Sequence, residues 1–484
     1  MLLERIYDED LSQTSYLIAC QASGEAIVVD PRRDIQVYLD LAAQHGLTIA
    51  AVTETHLHAD FLSGVRELAA ATGATAYVPG TGGEDWQYGF EAERLLDHDT
   101  IRLGQVTLTA RHTPGHTPEH LSYLATDGAF ADEPGYILTG DFVFSGDLGR
   151  PDLLDEAVGM EDTRFAGAKQ LFASLKSVFL TLPDHVQVFP GHGAGSACGK
   201  AIGSLPSTTV GYERNFAWWA PHLRNDDEQG FIDELLDGQP DAHAYFARMK
   251  RQNQEGPALL GERPAPREVP AGELARGLEG GALALVDTRP MDEVHAGTVP
   301  GALHIPMLSK AAGHIAWAFD PDTADAQLVV LADSAERAAE YGDHFVRVGV
   351  DSLIGYVPSL EGLPQAVPSV ITPAALHERG GASALPLVDV RTRNEHAGGT
   401  VPGAQQLSAG KVLFHQEQLP SREDGPIVTF CQSGLRNTVA ASALRRAGYD
   451  VIELEGSYSG WERWKAEQPG AGADADADAA ERSA

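Results

Sequence analysis

The stretch Thr55-His-Leu-His-Ala-Asp-Phe-Leu-Ser-Gly64 follows a short apolar run, 49–52, that reads as a β-strand. Two histidines and an aspartate at alternating positions in a loop can converge on one cation. Working outward, the same arrangement recurs. His116 in Thr113-Pro-Gly-His-Thr117, Asp141 in Thr139-Gly-Asp141 and His192 in Phe189-Pro-Gly-His192 each follow an apolar run and a tight turn. Runs at 26–29, 106–110, 121–124, 136–138 and 186–189 read as further strands, alternating with turns and amphipathic segments. Strand-end loops are where α/β folds tend to place chemistry. Together these residues predict a metal site in an α/β domain spanning 1–250.

The chain has 484 residues, with 35 Lys+Arg against 69 Asp+Glu and a formal charge of −34. At 43% hydrophobic residues it can still bury a sizeable core, and its length suggests about three domains. Nucleic-acid binding is excluded, because that affinity comes from neutralising phosphates with Lys and Arg. The acid is concentrated early: residues 1–250 carry 37 acidic and 16 basic side chains. Three cysteines, Cys20, Cys198 and Cys431, cannot make a disulfide framework and suit a reducing compartment. Cys20 in an apolar strand and Cys198 in a Gly-rich loop read as inert. There is no basic leader and no run of ~20 apolar residues, so a cytoplasmic chain with no membrane partner is expected.

Residues 251–267 read as a linker and 471–484 as a disordered acidic tail. Between them lies a repeat. Leu285-Val-Asp-Thr-Arg289 and Gly297-Thr-Val-Pro-Gly-Ala302 recur as Leu387-Val-Asp-Val-Arg391 and Gly399-Thr-Val-Pro-Gly-Ala404. Two α/β modules follow, 268–365 and 370–468. In the second, Cys431-Gln-Ser-Gly-Leu-Arg436 joins the apolar run 427–430 to a helical run, 438–447. A cysteine facing a helix N-terminus gains thiolate character, and backbone amides curled around it make a nest for an anionic sulfur group. The aligned position of the first module is Ala332, which offers no nucleophile.

The order His-x-His-x-Asp, His, Asp, His resembles the metallo-β-lactamase superfamily over about residues 10–200, which implies an α/β fold of the αββα sandwich type. Phe61 stands where that pattern carries another His; a phenyl ring cannot ligate, so one metal is expected rather than two. His56, His116 and Asp141 would then form a two-His, one-carboxylate face with open positions, which suits non-haem Fe(II) and oxygen chemistry. The persulfide dioxygenases of the superfamily look like this. The resemblance gives His56, His116 and Asp141 to one Fe(2+) per chain, with Zn2+ as the alternative. His58, Asp60 and His192 become surrounding or water-organising residues, with His58 still open as a direct ligand, as in the zinc hydrolases. Gly149-Arg-Pro-Asp152 resembles the dioxygenases' Gly-Arg-x-Asp segment, making Arg150 the candidate for a substrate carboxylate. His120, beside Glu119, reads as structural.

With four residues between Cys and Arg, the second-module loop resembles that of the rhodaneses; Cys-dependent phosphatases have five. Cys431 and Arg436 are its catalytic candidates, with Gln432, Ser433, Gly434 and Leu435 forming the cradle. Asp389 and Arg391 read as structural. The whole chain thus resembles the metallo-β-lactamase–rhodanese fusions of bacterial persulfide metabolism. That implies oxidation of a low-molecular-weight thiol persulfide by O2 to sulfite and thiol, coupled to sulfane-sulfur transfer through Cys431 to or from thiosulfate. It also implies a homo-oligomer. A glyoxalase II-like zinc thioester hydrolase fused to a sulfurtransferase is the alternative, and the carrier thiol stays open between glutathione, coenzyme A and others.

Overall fold

Strand Gln13–Cys20 shows how the first half is built. Tyr16, Ile18 and Cys20 face one way, Leu17 and Ala19 the other, as the period of two in an extended chain requires. Both faces are apolar, so both must be covered. The structure is a computed structural model that describes residues 1–153 and 163–468. It divides into two compact units, Met1–Pro264 with Asp343–Asp351, and Ala265–Gly342 with the chain from Ser352. The expected tail, 471–484, lies outside the described residues.

In the first unit, strands β1 to β6 (Leu2–Asp8, Gln13–Cys20, Glu25–Val29, Thr48–Thr53, Thr75–Pro79, Glu93–Leu95) form one sheet in chain order. Strands β7 to β12 (Thr100–Leu103, Val106–His112, Leu121–Asp127, Tyr136–Gly140, Gln187–Pro190, Thr208–Thr209) form a second. The core between the sheets joins Tyr16, Ile18 and Val29 to Leu108, Tyr123 and Leu138. Helices Gln36–His45 and Val65–Thr72 cover the outer face of the first sheet through Tyr38, Ala42, Val65 and Leu68. Helix Thr163–Ser177 covers the second through Leu171, Phe172 and Leu175. This is the expected αββα sandwich. Burying one such side chain fully contributes about 1.5–3 kcal/mol, so the faces hold the layers without further help.

Two parallel pairings position the site. β3 and β4 run together with Val29 opposite Thr53, and β10 and β11 with Leu138 opposite Phe189. Their C-terminal ends release the loops carrying Asp30, His56, Asp141 and His192. Each strand expected from the apolar runs is present: 427–430 keeps its bounds, 186–189 shifts by one residue to Gln187–Pro190, and the others are extended by one to three residues.

The second unit contains two five-stranded sheets, and all their pairings are parallel. β13 to β17 are Arg267–Glu268, Leu283–Asp287, Leu303–His304, Gln327–Leu331 and Leu353–Val357. They run in the order β13-β17-β16-β14-β15. β18 to β22 are Ser369–Ile371, Leu387–Asp389, Gln405–Gln406, Ile427–Phe430 and Val451–Leu454. They repeat that order as β18-β22-β21-β19-β20. The sequence repeat is therefore a repeat of topology.

One expectation is corrected. The linker expected at 251–267 begins as helix, because Phe246–Glu255 continues into its first five residues. Phe246, Met249 and Asn253 lie on its buried face at helical spacing. Asn253 donates to the carbonyls of His58 (2.7 Å) and Phe61 (2.8 Å) and accepts from the Ser63 amide (2.9 Å). Asn253→Ala would strand three buried backbone groups. It should destabilise the chain by roughly 1–3 kcal/mol, read as a lower thermal unfolding midpoint; an unchanged midpoint would contradict this account.

Candidate metal centre and sulfur-transfer loop

The loop after β4 is fixed before any ligand is considered. Asp30 accepts from the Thr55 amide (2.6 Å) and hydroxyl (3.1 Å), and Glu119 accepts from the Leu57 amide (2.8 Å). Burial holds the Glu119 carboxyl up at about 7. With the loop pinned, each imidazole is aimed by its other nitrogen. His116 Nδ1 donates to the Arg150 carbonyl (2.8 Å) and His192 Nδ1 to that of Ser12 (3.2 Å). A carbonyl only accepts, so Nε2 of both carries a lone pair toward the site. His56 Nδ1 meets the Thr55 hydroxyl at 2.9 Å.

The structure brings His56, His116 and Asp141 together, with one ligand atom from each within 4.8 Å of the others. Asp141 Oδ2 lies 3.5 Å from His116 Nε2 and 3.9 Å from His56 Nε2. Burial drives both imidazoles down, His116 to about 4 and His56 well below its ordinary value, so both are in the neutral form that binds metals. Both Asp141 oxygens are buried with no hydrogen-bond partner. These donors fit a divalent metal that leaves several coordination positions open.

His58 has a different partner. Its Nε2 lies 3.2 Å from Asp30 Oδ1, and its ring packs against Phe61 at 4.4 Å. Burial alone would lower its pKa, but the hydrogen bond and charge of Asp30, then Glu54, raise it to about 9. His120 is satisfied on both sides, its Nδ1 by the Thr113 hydroxyl (2.9 Å) and its Nε2 by the Asp141 amide (3.2 Å). It stacks under His56 at 5.1 Å.

Asp60 and His192 meet on the far side of Asp141. His192 Nε2 is 3.5 Å from both Asp60 Oδ2 and Asp141 Oδ1. Cys198, read from the sequence as inert, joins them, with ligand atoms of Asp60, His192 and Cys198 all within 4.8 Å. Only its Gly-rich loop signalled such reach. Gly191 is what lets this loop approach: a Cβ there would sit 2.7 Å from Asp141 Oδ1.

Arg150 requires a correction. Its side chain is fully buried, and its guanidinium is already engaged by Asp152 (2.8 and 2.6 Å), Ala197 O (3.3 Å) and Pro240 O (2.5 Å). A group so bound is not offered to a substrate carboxylate. Its carbonyl instead orients His116.

In the second unit, β21 delivers Cys431 to the start of helix Leu435–Arg446. Gly434 caps that helix at φ 118, a left-handed-side conformation closed to ordinary side chains, and its amide donates to Cys431 Sγ at 3.1 Å. Ser457 accepts from the Cys431 amide (3.3 Å) and stands 4.0 Å from Sγ, and the Tyr458 amide donates to the Cys431 carbonyl (2.9 Å). Neither Ser457 nor Tyr458 was anticipated. Gln432 bridges Arg391 and Ser459, while Ser433 is exposed at the loop tip and Leu435 opens the helix. Arg436 is held in a two-pronged pair with Glu395, at 2.7 and 2.6 Å. At the equivalent place in the first module a cavity of about 720 Å³ is lined by Arg289, Ala332, Asp333 and Arg337, with no nucleophile among its lining residues.

The metallo-beta-lactamase superfamily model matches residues 8–192, and the rhodanese-like domain model matches 270–359 and 372–463. A crystal structure of a metallo-beta-lactamase from Staphylococcus aureus subsp. aureus COL is 35% identical. It covers 74% of this chain and 98% of that one with a TM-score of 0.63. The persulfide dioxygenase ETHE1, mitochondrial, of Bos taurus is 27% identical over 200 residues, which is 40% of this chain and 68% of that protein. A hydroxyacylglutathione hydrolase of Rhodospirillum rubrum is 32% identical over 177 residues, 37% of this chain and 60% of that protein. Among the described residues no helix is long and apolar enough to cross a membrane.

The Glu395–Arg436 pair gives a pH signature. The Arg436 hydrogen bond is the largest cause holding Glu395 at about 2, below its ordinary 4.5. A depressed carboxyl contributes stability that is fully present above the unfolded value and is lost as pH falls toward the folded one. Unfolding midpoints of wild type should therefore drop between about pH 4.5 and 2, and Glu395→Gln should flatten that part of the profile; parallel profiles would refute the pairing.

Proposed function

The chain belongs to the metallo-β-lactamase superfamily and carries two rhodanese-like domains, and from that premise we propose that it is an iron-dependent thiol persulfide dioxygenase with sulfurtransferase activity. The observation that carries the reading is the pairing of His58 with Asp30, which leaves His56, His116 and Asp141 as a two-His, one-carboxylate face. A third imidazole on the same face would instead favour a zinc hydrolase.

An Fe(II) bound there would supply adjacent open positions for a persulfide sulfur and O2 and the electrons that link them. The net reaction takes one persulfide R–S–SH, one O2 and one water to one thiol, one sulfite and two protons. The chain's own residues prepare this by burial and orientation. His116 and His56 stay neutral because the site is dry, and the Arg150 carbonyl and Thr55 hydroxyl hold their rings. His58, kept protonated by Asp30, places a positive charge near the one anionic donor, Asp141.

At the second module, Cys431 Sγ attacks the sulfane sulfur of a persulfide or thiosulfate. The S–S bond breaks, thiol or sulfite leaves with the electron pair, and Cys431 becomes a persulfide. The Gly434 amide, 3.1 Å from Sγ, stabilises the charge on sulfur before and after transfer. An acceptor thiol or sulfite then removes the sulfane sulfur and regenerates Cys431. The first module, with Ala332 at the nucleophile position, takes no part in transfer.

Oxygen uptake across a panel of thiol persulfides tests the first activity and names the carrier. Uptake should require both iron and a persulfide; thioester hydrolysis without persulfide-dependent uptake would overturn the assignment in favour of a zinc hydrolase. His116→Ala should lower uptake by roughly 100-fold or more while sparing thiosulfate sulfurtransfer. Cys431→Ser should do the reverse, and sulfurtransfer retained in that variant would refute the role of Cys431.

A further inference from the structure

We propose that Asp343–Asp351 braces the metal-bearing unit, with Arg347 as the residue that positions the loops around the His56–His116–Asp141 face. This is what the first rhodanese-like module does in place of sulfur transfer. By sequence the segment lies inside the first rhodanese-like match, 270–359. By packing it belongs with Met1–Pro264. Helix Ala335–Arg347 starts three residues after Ala332, and its last turn is part of the metal-bearing unit.

The first ground is that Arg347 meets three strand ends at once. The last carbonyls of a helix have no partner within it. That of Arg347 accepts the Leu62 amide at 2.7 Å, in the loop after β4 that carries His56. Its guanidinium donates to Asp8 (2.9 Å), at the end of β1, and to Asp34 (2.8 and 3.1 Å), in the loop after β3 that carries Asp30. Arg347 is 7% exposed and Asp8 2%, so the pair is buried. Around it His344 meets Asp10 at 2.7 Å, Arg33 pairs with Asp351 at 2.7 Å, and Arg248 donates to the Val348 carbonyl at 2.9 Å.

The second ground is what those strand ends do. Asp8 Oδ1 accepts the amides of Asp10 (2.8 Å) and Leu11 (3.4 Å), which folds the turn leading to Ser12. Ser12 sits at φ 53, a left-handed conformation that a serine keeps only where its surroundings enforce it. Its carbonyl takes the Nδ1 proton of His192 at 3.2 Å. Asp30 fixes the loop of His56 and pairs with His58. Without the Arg347 charge, Asp8 and Asp34 share one remaining ion-pair partner among the described residues, Arg32, at 3.3 Å from each. A buried carboxylate short of a cation is strongly unfavourable, and its relief by movement toward water would carry the turn with it.

The third ground comes from the repeat. Arg347-Val-Gly-Val-Asp351 recurs in the second module as Arg446-Ala-Gly-Tyr-Asp450. Arg446 donates to the Gly301 carbonyl (3.3 Å) and, among the described residues, has no ion pair. The same position on the same fold therefore carries acidic partners only in the copy that lacks the nucleophile.

The inference stands whichever metal fills the face and whichever reaction follows. The full-length chain would be tested with Co(II) as the probe, by amide hydrogen exchange and by competitive dialysis of the equivalent that His116→Ala loses. Coupling is reciprocal: if the brace favours the metal-bound loops, metal must in turn stabilise the brace. Co(II) should slow exchange across 343–351 in the wild type and leave 446–450 unchanged. Arg347→Met, which keeps an apolar stem and drops the charge, should weaken that equivalent roughly 10-fold, and Arg446→Met should bind it as the wild type does. Unaltered exchange across 343–351, equal affinity in Arg347→Met and wild type, or an equal loss in Arg446→Met overturns the proposal. The exchange measurement needs no variant, so it decides the matter even if Arg347→Met does not fold.

Discussion

A carboxylate buried with neither oxygen hydrogen-bonded is the constraint around which the first unit is arranged. Asp141 sits at the end of β10 with its amide tied to His120 and its oxygens facing imidazoles on two sides. Burial raises its pKa to about 6, well above the ordinary aspartate value of 3.8. Only a nearby cation makes the charged form comfortable in so dry a place. The surrounding hydrogen bonds serve that end. Backbone carbonyls of Arg150 and Ser12 set two histidine tautomers, and Asp30 and Glu119 fix the loop that carries His56.

The second unit shows which features the module fold needs and which belong to chemistry. Both copies pair a buried aspartate with an arginine, Asp287 with Arg289 and Asp389 with Arg391, each at 2.7 Å. In both, a threonine hydroxyl donates to that aspartate and the arginine reaches a glycine carbonyl. This network survives where the nucleophile does not, so it holds the strand ends together. What differs is the loop itself: Ala332 replaces Cys431, and Arg337 pairs with Glu340 on its own helix, whereas Arg436 reaches across to Glu395. Losing the cross-element pair accompanies losing the sulfur.

The strands and the histidine loops were legible because their signals are local: a period of two, a tight turn, a polar residue at a strand end. The partners that give those loops their function were not. Asp30 meets His58 from 28 residues away, Asn253 bonds the same loop from a helix read as linker, and Arg150 spends its guanidinium on Asp152 and two carbonyls. Helix Phe246–Glu255 is strongly polar, so its buried face was masked by charge. Cys198 looked inert because the sequence does not show that its loop folds back beside Asp60, which comes from the loop after β4.

The cysteine loop shows why charge counting alone misleads about anion binding. The sequence offers Arg436 as a catalytic candidate beside Cys431, on a chain whose overall charge is −34. In the structure that arginine is neutralised by a two-pronged pair with Glu395. Net charge is screened beyond about 10 Å in salt, so it too says little at Sγ. What remains at contact distance is the Gly434 amide and the start of a 12-residue helix. These are fixed dipoles rather than mobile charges. On the proposed sulfur-transfer reading, a carrier that must both accept and release its cargo is served by groups that keep their place in every state of the cycle.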